Sequence, residues 1–584
     1  MRTGQWESTT MEAEAPQHWG ARPVGDGRWS VAIWSPDATE AAVIVGDGAP
    51  QAMAKGADGT FRAEIAAEAD TPYRLAIDGQ TLPDPASRRQ RDTVHGPSLL
   101  TLPRRVQDGW TGRPWCEAVI SEIHIGTFTT EGTFAAAARR LPDLVALGIN
   151  TVEVMPIAQF AGNRGWGYDG VLPHAVHPAY GTPGDFADFV TAAHGLGMSV
   201  ILDVVYNHFG PEGAYLGGVT PAFFDANRTT PWGPAIDFTQ GPVREFFIAN
   251  AIMWIAEFGV DGLRLDAVHQ LQDPSTPEFL KALSQRLRAL DLHRPLHLIA
   301  EDERNLPDHR DDGVTDAQWN DDYHHSLHCL LTGEDEGYYA PFAVDPMADL
   351  AVALTEGHVA QGTPRNDRAD TRGAPSGHLP PEAFVNANQT HDQIGNRALG
   401  ERLIALAGPE AMRVAHGLLL TAPFVPMLFQ GEEIGARTPF PFFCDFEGDL
   451  ADIVRKGRLE EFSAFGGFGG DLPDPMALST FTDARPYDTP PDDADDWRAL
   501  TRRLLDWRRS HVVPLLHSGQ TGADVWIIGP RALRVCWRFE TGDLNCVVQL
   551  GQAVPPDLWG GDATGLRLGA PEDNFAFCTW IETR

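Results

Sequence analysis

The sequence predicts an α/β protein, a (β/α)8 TIM barrel with an N-terminal β-sandwich domain and a C-terminal β-domain. Three observations lead there. From Ala118 onward, near-continuous apolar runs alternate eight times with amphipathic helical segments, the pattern of parallel strands joined by helical crossovers. Between Gly20 and Leu102, short β-type runs are separated by turn residues, as in antiparallel hairpins. From about His511 the pattern returns to β-type runs.

In chain order, residues 1–14 are polar, carry no apolar segment able to act as a signal peptide, and are expected to be a flexible tail. Residues 15–104 form the expected sandwich. Its runs are Trp29–Trp34, Ala41–Val45 and Tyr73–Ile77, with Asp-Gly pairs at 26–27, 47–48, 58–59 and 78–79 as hairpin turns. The Pro- and Arg-rich stretch from Pro83 to Arg105 reads as a linker. Residues 105–510 form the barrel, with strands at Ala118–His124, Asn150–Met155, Ser199–Val204, Gly262–Leu265, Leu296–Ala300, Ala317–Trp319, Ala383–Asn388 and Val425–Phe429. Helices are expected at Phe134–Leu147, Asp185–Leu196, Val243–Phe258 and Pro277–Leu290. Residues 511–584 form the last β-domain, with runs at Asp524–Ile528, Leu533–Phe539, Leu544–Leu550 and Phe575–Ile581. Two long polar, Pro/Gly-rich segments, Asp335–Pro380 and Phe440–Asp496, are of the size that is usually functional or mobile.

Composition narrows the partners. The 584 residues carry a formal net charge of -35, and Lys55, Lys281 and Lys456 are the only lysines. A surface this acidic disfavours nucleic acid and anionic membranes, and it suits a neutral substrate. Genome composition or a salty cytoplasm would leave the same mark. No run approaches the roughly 18 apolar residues of a membrane helix. The six cysteines lack C-x-x-C spacing and read as free thiols of a cytoplasmic protein. No Gly-rich phosphate loop is present, so no cofactor is expected.

The chemistry gathers at the strand ends. Strand three ends Asp203-Val-Val-Tyr-Asn207-His208, strand four Arg264-Leu-Asp266, strand five Glu301-Asp302, and strand seven Asn388-Gln-Thr-His391-Asp392. In a barrel these ends share one rim, where catalytic groups sit. Two carboxylates on adjacent strands, Asp266 and Glu301, are what cleavage of a glycosidic bond demands: one attacks the anomeric carbon and the other protonates the leaving oxygen. Taken singly, each residue has a structural reading. A strand-end carboxylate is most often a helix cap or a solvated charge, an Arg-x-Asp pair can be a structural ion pair, and Tyr168 or His208 can be core. Four ordered coincidences are much harder to explain that way.

This ordered set resembles the α-amylase superfamily of glycoside hydrolases. The resemblance implies Asp266 as nucleophile, Glu301 as general acid and then base, and Asp392 as the group that binds the distorted sugar. It further implies Arg264 orienting Asp266, His208 and His391 supporting the ring, Asp203 buttressing the site and Tyr168 stacking under the sugar. Other segments resemble the malto-oligosyltrehalose trehalohydrolase family: Leu82-Pro-Asp-Pro-Ala-Ser87, His95-Gly-Pro-Ser98, Trp166-Gly-Tyr-Asp-Gly170, Ala300-Glu-Asp-Glu-Arg-Asn305, Gln318-Trp-Asn-Asp-Asp-Tyr-His-His325, His391 to Arg397 and Gly431 to Phe443. Ile434 and Pro441 depart from that family's pattern. This second resemblance implies hydrolysis of the α-1,4 bond next to the terminal trehalose of maltooligosyl trehalose, and a maltooligosyl trehalose synthase as the partner that supplies it. Trp319, Asp321, Asp322, His325 and Phe443 are then expected on the leaving-group side. A 1,4-α-glucan branching enzyme, a debranching enzyme and a non-catalytic amylase-like carbohydrate-binding protein are the alternatives. Many amylases bind calcium in a long insert after strand three, but Phe209 to Gly241 is short and has no carboxylate cluster, so no metal is expected.

Overall fold

Eight parallel strands close into a barrel: β1 (Ile120–Ile123), β2 (Thr151–Val154), β3 (Ser199–Val204), β4 (Gly262–Leu265), β5 (His297–Ala300), β6 (Ala317–Trp319), β7 (Phe384–Ala387) and β8 (Val425–Phe429). Each pairs with the next, and β8 returns to β1 through Ile120–Met427. The computed structural model describes residues 17–106, 109–365, 371–463, 472–559 and 565–583. The tail expected at residues 1–14 lies outside the described residues. Four strands have the bounds read from the sequence, and the other four are shorter than their apolar runs by a residue or two at an end.

Every residue of the eight strands is buried, as expected of strands covered on both faces. Their period of two decides which side chains enter the barrel. Leu202, Leu263, Leu265, Leu298 and Ala300 pack outward with the helices in the main core. Ile120, Ile201, Ile299, Ala317, Val385 and Val425 point inward and fill the bottom of the barrel. Gly262 shares that inner parity, and a Cβ there would lie 2.3 Å from the His297 carbonyl oxygen and 2.7 Å from Ile201 Cδ1. Two residues further along β1 to β4, the inward positions turn polar: Glu122, Glu153, Asp203 and Arg264.

The helices form where capping and amphipathic pattern agree. α1 (Phe134–Val145) starts at Thr133, whose side chain accepts from Ala136 N–H, and α2 (Pro183–Gly195) starts with a Thr182–Asp185 capping box. The run expected as one helix over Val243–Phe258 divides into α3 (Gly241–Ile252) and a single π turn, Met253–Glu257. α4 (Phe279–Arg288) follows, then α5 (Asp321–Thr332) after β6 and α6 (Pro346–Glu356) within the long segment that precedes β7. The segment after β3 carries a hairpin, Phe224–Thr230 with Gly233–Ile236, that the pattern of residues did not reveal.

The N-terminal region is two antiparallel sheets, one of four strands and one of five. The fifth is the short strand Ser98–Leu99, which pairs with Pro72–Ile77, so part of the stretch expected as a linker belongs to the sheet. Trp19 joins the region to the barrel, donating from Nε1 to the Pro242 carbonyl at 2.7 Å and meeting Phe223 and Phe246 edge-on. At the other end, helical structure runs from Ala494 to Leu516, and the five-stranded terminal sheet begins at Gln520. Trp537 of that sheet donates to the Leu354 carbonyl of α6 at 2.6 Å. Among the described residues, no helix is long and apolar enough to cross a membrane.

Candidate active site

Arg264 is the centre of the rim. Its strand position sends the guanidinium into the barrel, where it has no solvent exposure. Nη1 donates to Asp203 at 2.7 Å and Asp266 at 2.9 Å, and Nη2 donates to Glu301 at 2.8 Å. One planar cation thus ties together carboxylates from the ends of β3, β4 and β5. The Trp319 ring lies 4.0 Å from the guanidinium, so this tryptophan forms part of the support around Arg264.

Asp266 is oriented through both oxygens. Oδ1 accepts from Arg264, and Oδ2 accepts from Asn207 Nδ2 at 2.8 Å, an arrangement that suits a carboxylate with a fixed direction of attack. The next residue, Ala267, has φ of 40°, a left-handed conformation unusual for alanine. That turn aims its N–H at Glu301 Oε2, 2.9 Å away. Glu301 is nevertheless held well above the ordinary carboxylate range: burial favours the neutral acid most, Arg264 pulls the other way, and Asp266, Asp392 and Asp321 add to the effect of burial. The two carboxyls therefore have different environments, the condition for one to serve as nucleophile and the other as proton donor. Asp203, which also accepts from Tyr168 OH at 2.6 Å, is pushed by burial up to about 6.

The end of β7 brings a second group. Thr390 caps the short helix His391–Gly395, accepting from Asp392 N–H. His391 stacks on Tyr168 with ring centroids 5.0 Å apart, and its Nε2 lies 3.4 Å from Asp392 Oδ1. Burial opposes charge on Asp392, but His391 holds it below its ordinary range. His208 sits between Asn207 Oδ1 and the Tyr168 carbonyl, and Trp232 stacks on it at 4.2 Å. Trp232, 49 % exposed, comes from the hairpin after β3 and is an open aromatic face beside the site. Sequence reasoning missed it, because only the hairpin brings it back over His208. Asn207 was visible as part of the Asn-His pair, but its hold on Asp266 was not.

The residues expected on the leaving-group side divide. Asp321 lies at the rim, accepting from Gln393 Nε2 at 3.4 Å, and is pushed by burial, then by Asp392, up to about 7. Asp322 turns away: its carboxylate accepts from Asn305 Nδ2 and from the Val359 and Ala360 N–H groups, and pairs with Arg372 at 3.3 Å. It is an anchor for the segment after α6. His325 packs among Tyr338, Tyr339 and Phe342. Phe443 has no exposed surface and meets His124, Phe440 and Phe481, so it is core and lines no cleft. In each case the preceding loop sets the direction in which the side chain points, and composition does not carry that information.

The family model of the alpha amylase catalytic domain matches residues 101–222. The malto-oligosyltrehalose trehalohydrolase of Deinococcus radiodurans is 39% identical over 515 residues, 86% of this chain and 84% of its own. That of Mycobacterium tuberculosis is 42% identical over 471 residues, 77% of this chain and 80% of its own. A crystal structure from Salmonella typhimurium, described as an alpha amylase, superposes with a TM-score of 0.93 at 40% identity, covering 97% of this chain and 100% of that one. With this identity maintained over most of both chains, around a rim of Arg264, Asp266, Glu301 and Asp392, the chain belongs to the malto-oligosyltrehalose trehalohydrolase family of α-amylase-type glycoside hydrolases.

Proposed function

We propose that the chain is a retaining glycoside hydrolase that cleaves the α-1,4 bond next to the terminal trehalose of maltooligosyl trehalose. The observation that carries the chemistry is the single guanidinium of Arg264 bonded to both Asp266 and Glu301, with burial raising Glu301 well above the ordinary carboxylate range. The relatives' shared name supports the substrate.

In the first step the Asp266 carboxylate attacks the anomeric carbon while Glu301 gives its proton to the glycosidic oxygen. The bond to that oxygen breaks, trehalose leaves as the free sugar, and the rest of the glucan remains as an ester on Asp266. Glu301, now ionised, takes a proton from water as the water oxygen attacks the same carbon. The ester breaks, Asp266 regains its charge, and the product has the original anomeric configuration. Asp392 binds hydroxyls of the sugar being distorted, and Tyr168 stacks beneath it. The substrate's trehalose terminus has to be made by a maltooligosyl trehalose synthase, which we take as the functional partner. The scattered cysteines, with no C-x-x-C spacing, support taking the reaction as cytoplasmic.

Incubation with maltotriosyl trehalose and, separately, with linear maltooligosaccharides tests the reading. Rapid release of trehalose from the former is expected. Equal rates of reducing-end formation from both substrates, or the appearance of branches in amylose, would show a different α-glucan enzyme.

A further inference from the structure

Two buried carboxyls of the barrel have no part in the steps above. Glu122 and Glu153 stand side by side in the register of β1 and β2, each 1 % exposed, on the inner face of the barrel. They differ in their partners. Glu122 accepts from both the Nδ1 and the backbone N–H of His391. Both oxygens of Glu153 lack a hydrogen-bond donor among the described residues. Two adjacent anions repel strongly where water is excluded, so such a pair holds one charge. Burial, and then the neighbouring Glu122, pushes Glu153 well above the ordinary carboxylate range. Of the two, Glu122 is the one with donors.

The other nitrogen of His391 faces Asp392 Oδ1. An imidazole with a carboxylate oxygen at each nitrogen has only acceptors around it, and it satisfies both as the cation. Burial would favour the neutral ring, but the charges of Asp392 and Glu122 reverse this and raise His391 well above its ordinary range. The other titratable groups around it do not supply this effect. His124, beyond β1, is driven by burial down to about 3 and is neutral, and Tyr168, stacked on the ring, is raised well above its ordinary value and is neutral too. Arg264 and Asp203 form their own pair across the interior, and Asp266, Glu301 and Asp321 lie on the sugar side of the rim.

We propose that Glu122 is a positioning residue: it fixes the charge and orientation of His391, and through His391 the placement of Asp392 against the sugar, while Glu153 beside it stays neutral. The proposal rests on the glycosidase reading, in which Asp392 holds the sugar, and extends the site from the rim down to the inner face of β1.

The test uses the full-length protein with Glu122→Gln, Glu122→Asp and Glu153→Gln. Hydrolysis is followed against pH on whichever α-glucan the wild-type protein cleaves. Histidine ring nitrogens are followed by NMR without substrate, the His391 signal being assigned by its loss in His391→Asn. Glu122→Gln is expected to lower kcat about tenfold or more at neutral pH and to move the alkaline limb of kcat/KM about one unit or more toward acid, with the loss shrinking on acidification. Its His391 signal is expected to change from imidazolium to a titrating ring. Glu122→Asp restores the limb, and Glu153→Gln leaves it in place. Loss by one factor at every pH with an unchanged His391 signal overturns the proposal, as does an equal shift in Glu153→Gln. A neutral His391 in the wild-type protein at neutral pH also overturns it, whether or not the variants fold. If the wild-type protein cleaves no α-glucan, the glycosidase reading fails, and the NMR arm still decides whether Glu122 sets the charge of His391.

Discussion

Arg264 shows how much one side chain decides in this rim. Its two terminal nitrogens hold Asp203, Asp266 and Glu301, yet Glu301 stays well above the ordinary carboxylate range, because burial and three neighbouring carboxylates act against ionisation. Glu301→Gln is expected to lower kcat by about 10²–10⁴-fold for the natural substrate, with thermal unfolding unchanged. Asp266→Ala removes the nucleophile, so no glycosyl ester should be trapped by a slow substrate under conditions where the wild-type protein accumulates one, as mass spectrometry would show. The sign of the pH dependence follows from Glu301. The proton-donating form is present below its raised pKa and disappears as pH rises through it, so kcat/KM should fall on the alkaline side with the titration of this group. An alkaline limb that persists unchanged in a Glu301 variant with residual activity would assign it to another residue.

At the scale of elements, the polar ends of β3, β4 and β5 were legible in the sequence, and the alternation of the folded strands sends Asp203 and Arg264 inward at that end of the barrel. What the alternation does not carry is the course of the loops. Asp322 and Asp321 are adjacent in sequence, but the start of α5 leaves one at the rim and turns the other onto Val359 and Ala360. Asp322→Ala is therefore expected to lower stability by about 3 kcal/mol, since it strands several buried donors, and to leave the pH profile of the reaction in place. A calorimetric Tm beside a pH–rate curve separates the two effects. Trp232 has the opposite history: a lone tryptophan in a polar stretch, it becomes an aromatic face only because the hairpin returns it to His208. Trp232→Ala should raise KM several-fold, by about 1 kcal/mol of lost stacking, with a smaller change in kcat.

For the whole molecule, the N-terminal sheets and the terminal sheet are joined to the barrel by buried tryptophans. Trp19 packs on Phe223 and Phe246, and Trp537 reaches the carbonyl end of α6. Trp19→Ala should cost about 3–5 kcal/mol and lower Tm while kcat stays near the wild-type value, because the rim contains none of its contacts. The order of strands and helices, the closed barrel and the gathering of Asp266, Glu301, Arg264 and Asp392 at one end were determined by the sequence itself. Hydrophobic periodicity and the polar strand ends are local properties, and parallel closure admits few arrangements of them. Only the tertiary structure decided that Phe443 is core, that Asp322 is an anchor, that Trp232 flanks the site, and that Glu122 and Glu153 stand buried side by side beneath it. Those facts depend on contacts between residues far apart in the chain, and on the low dielectric that burial creates around them.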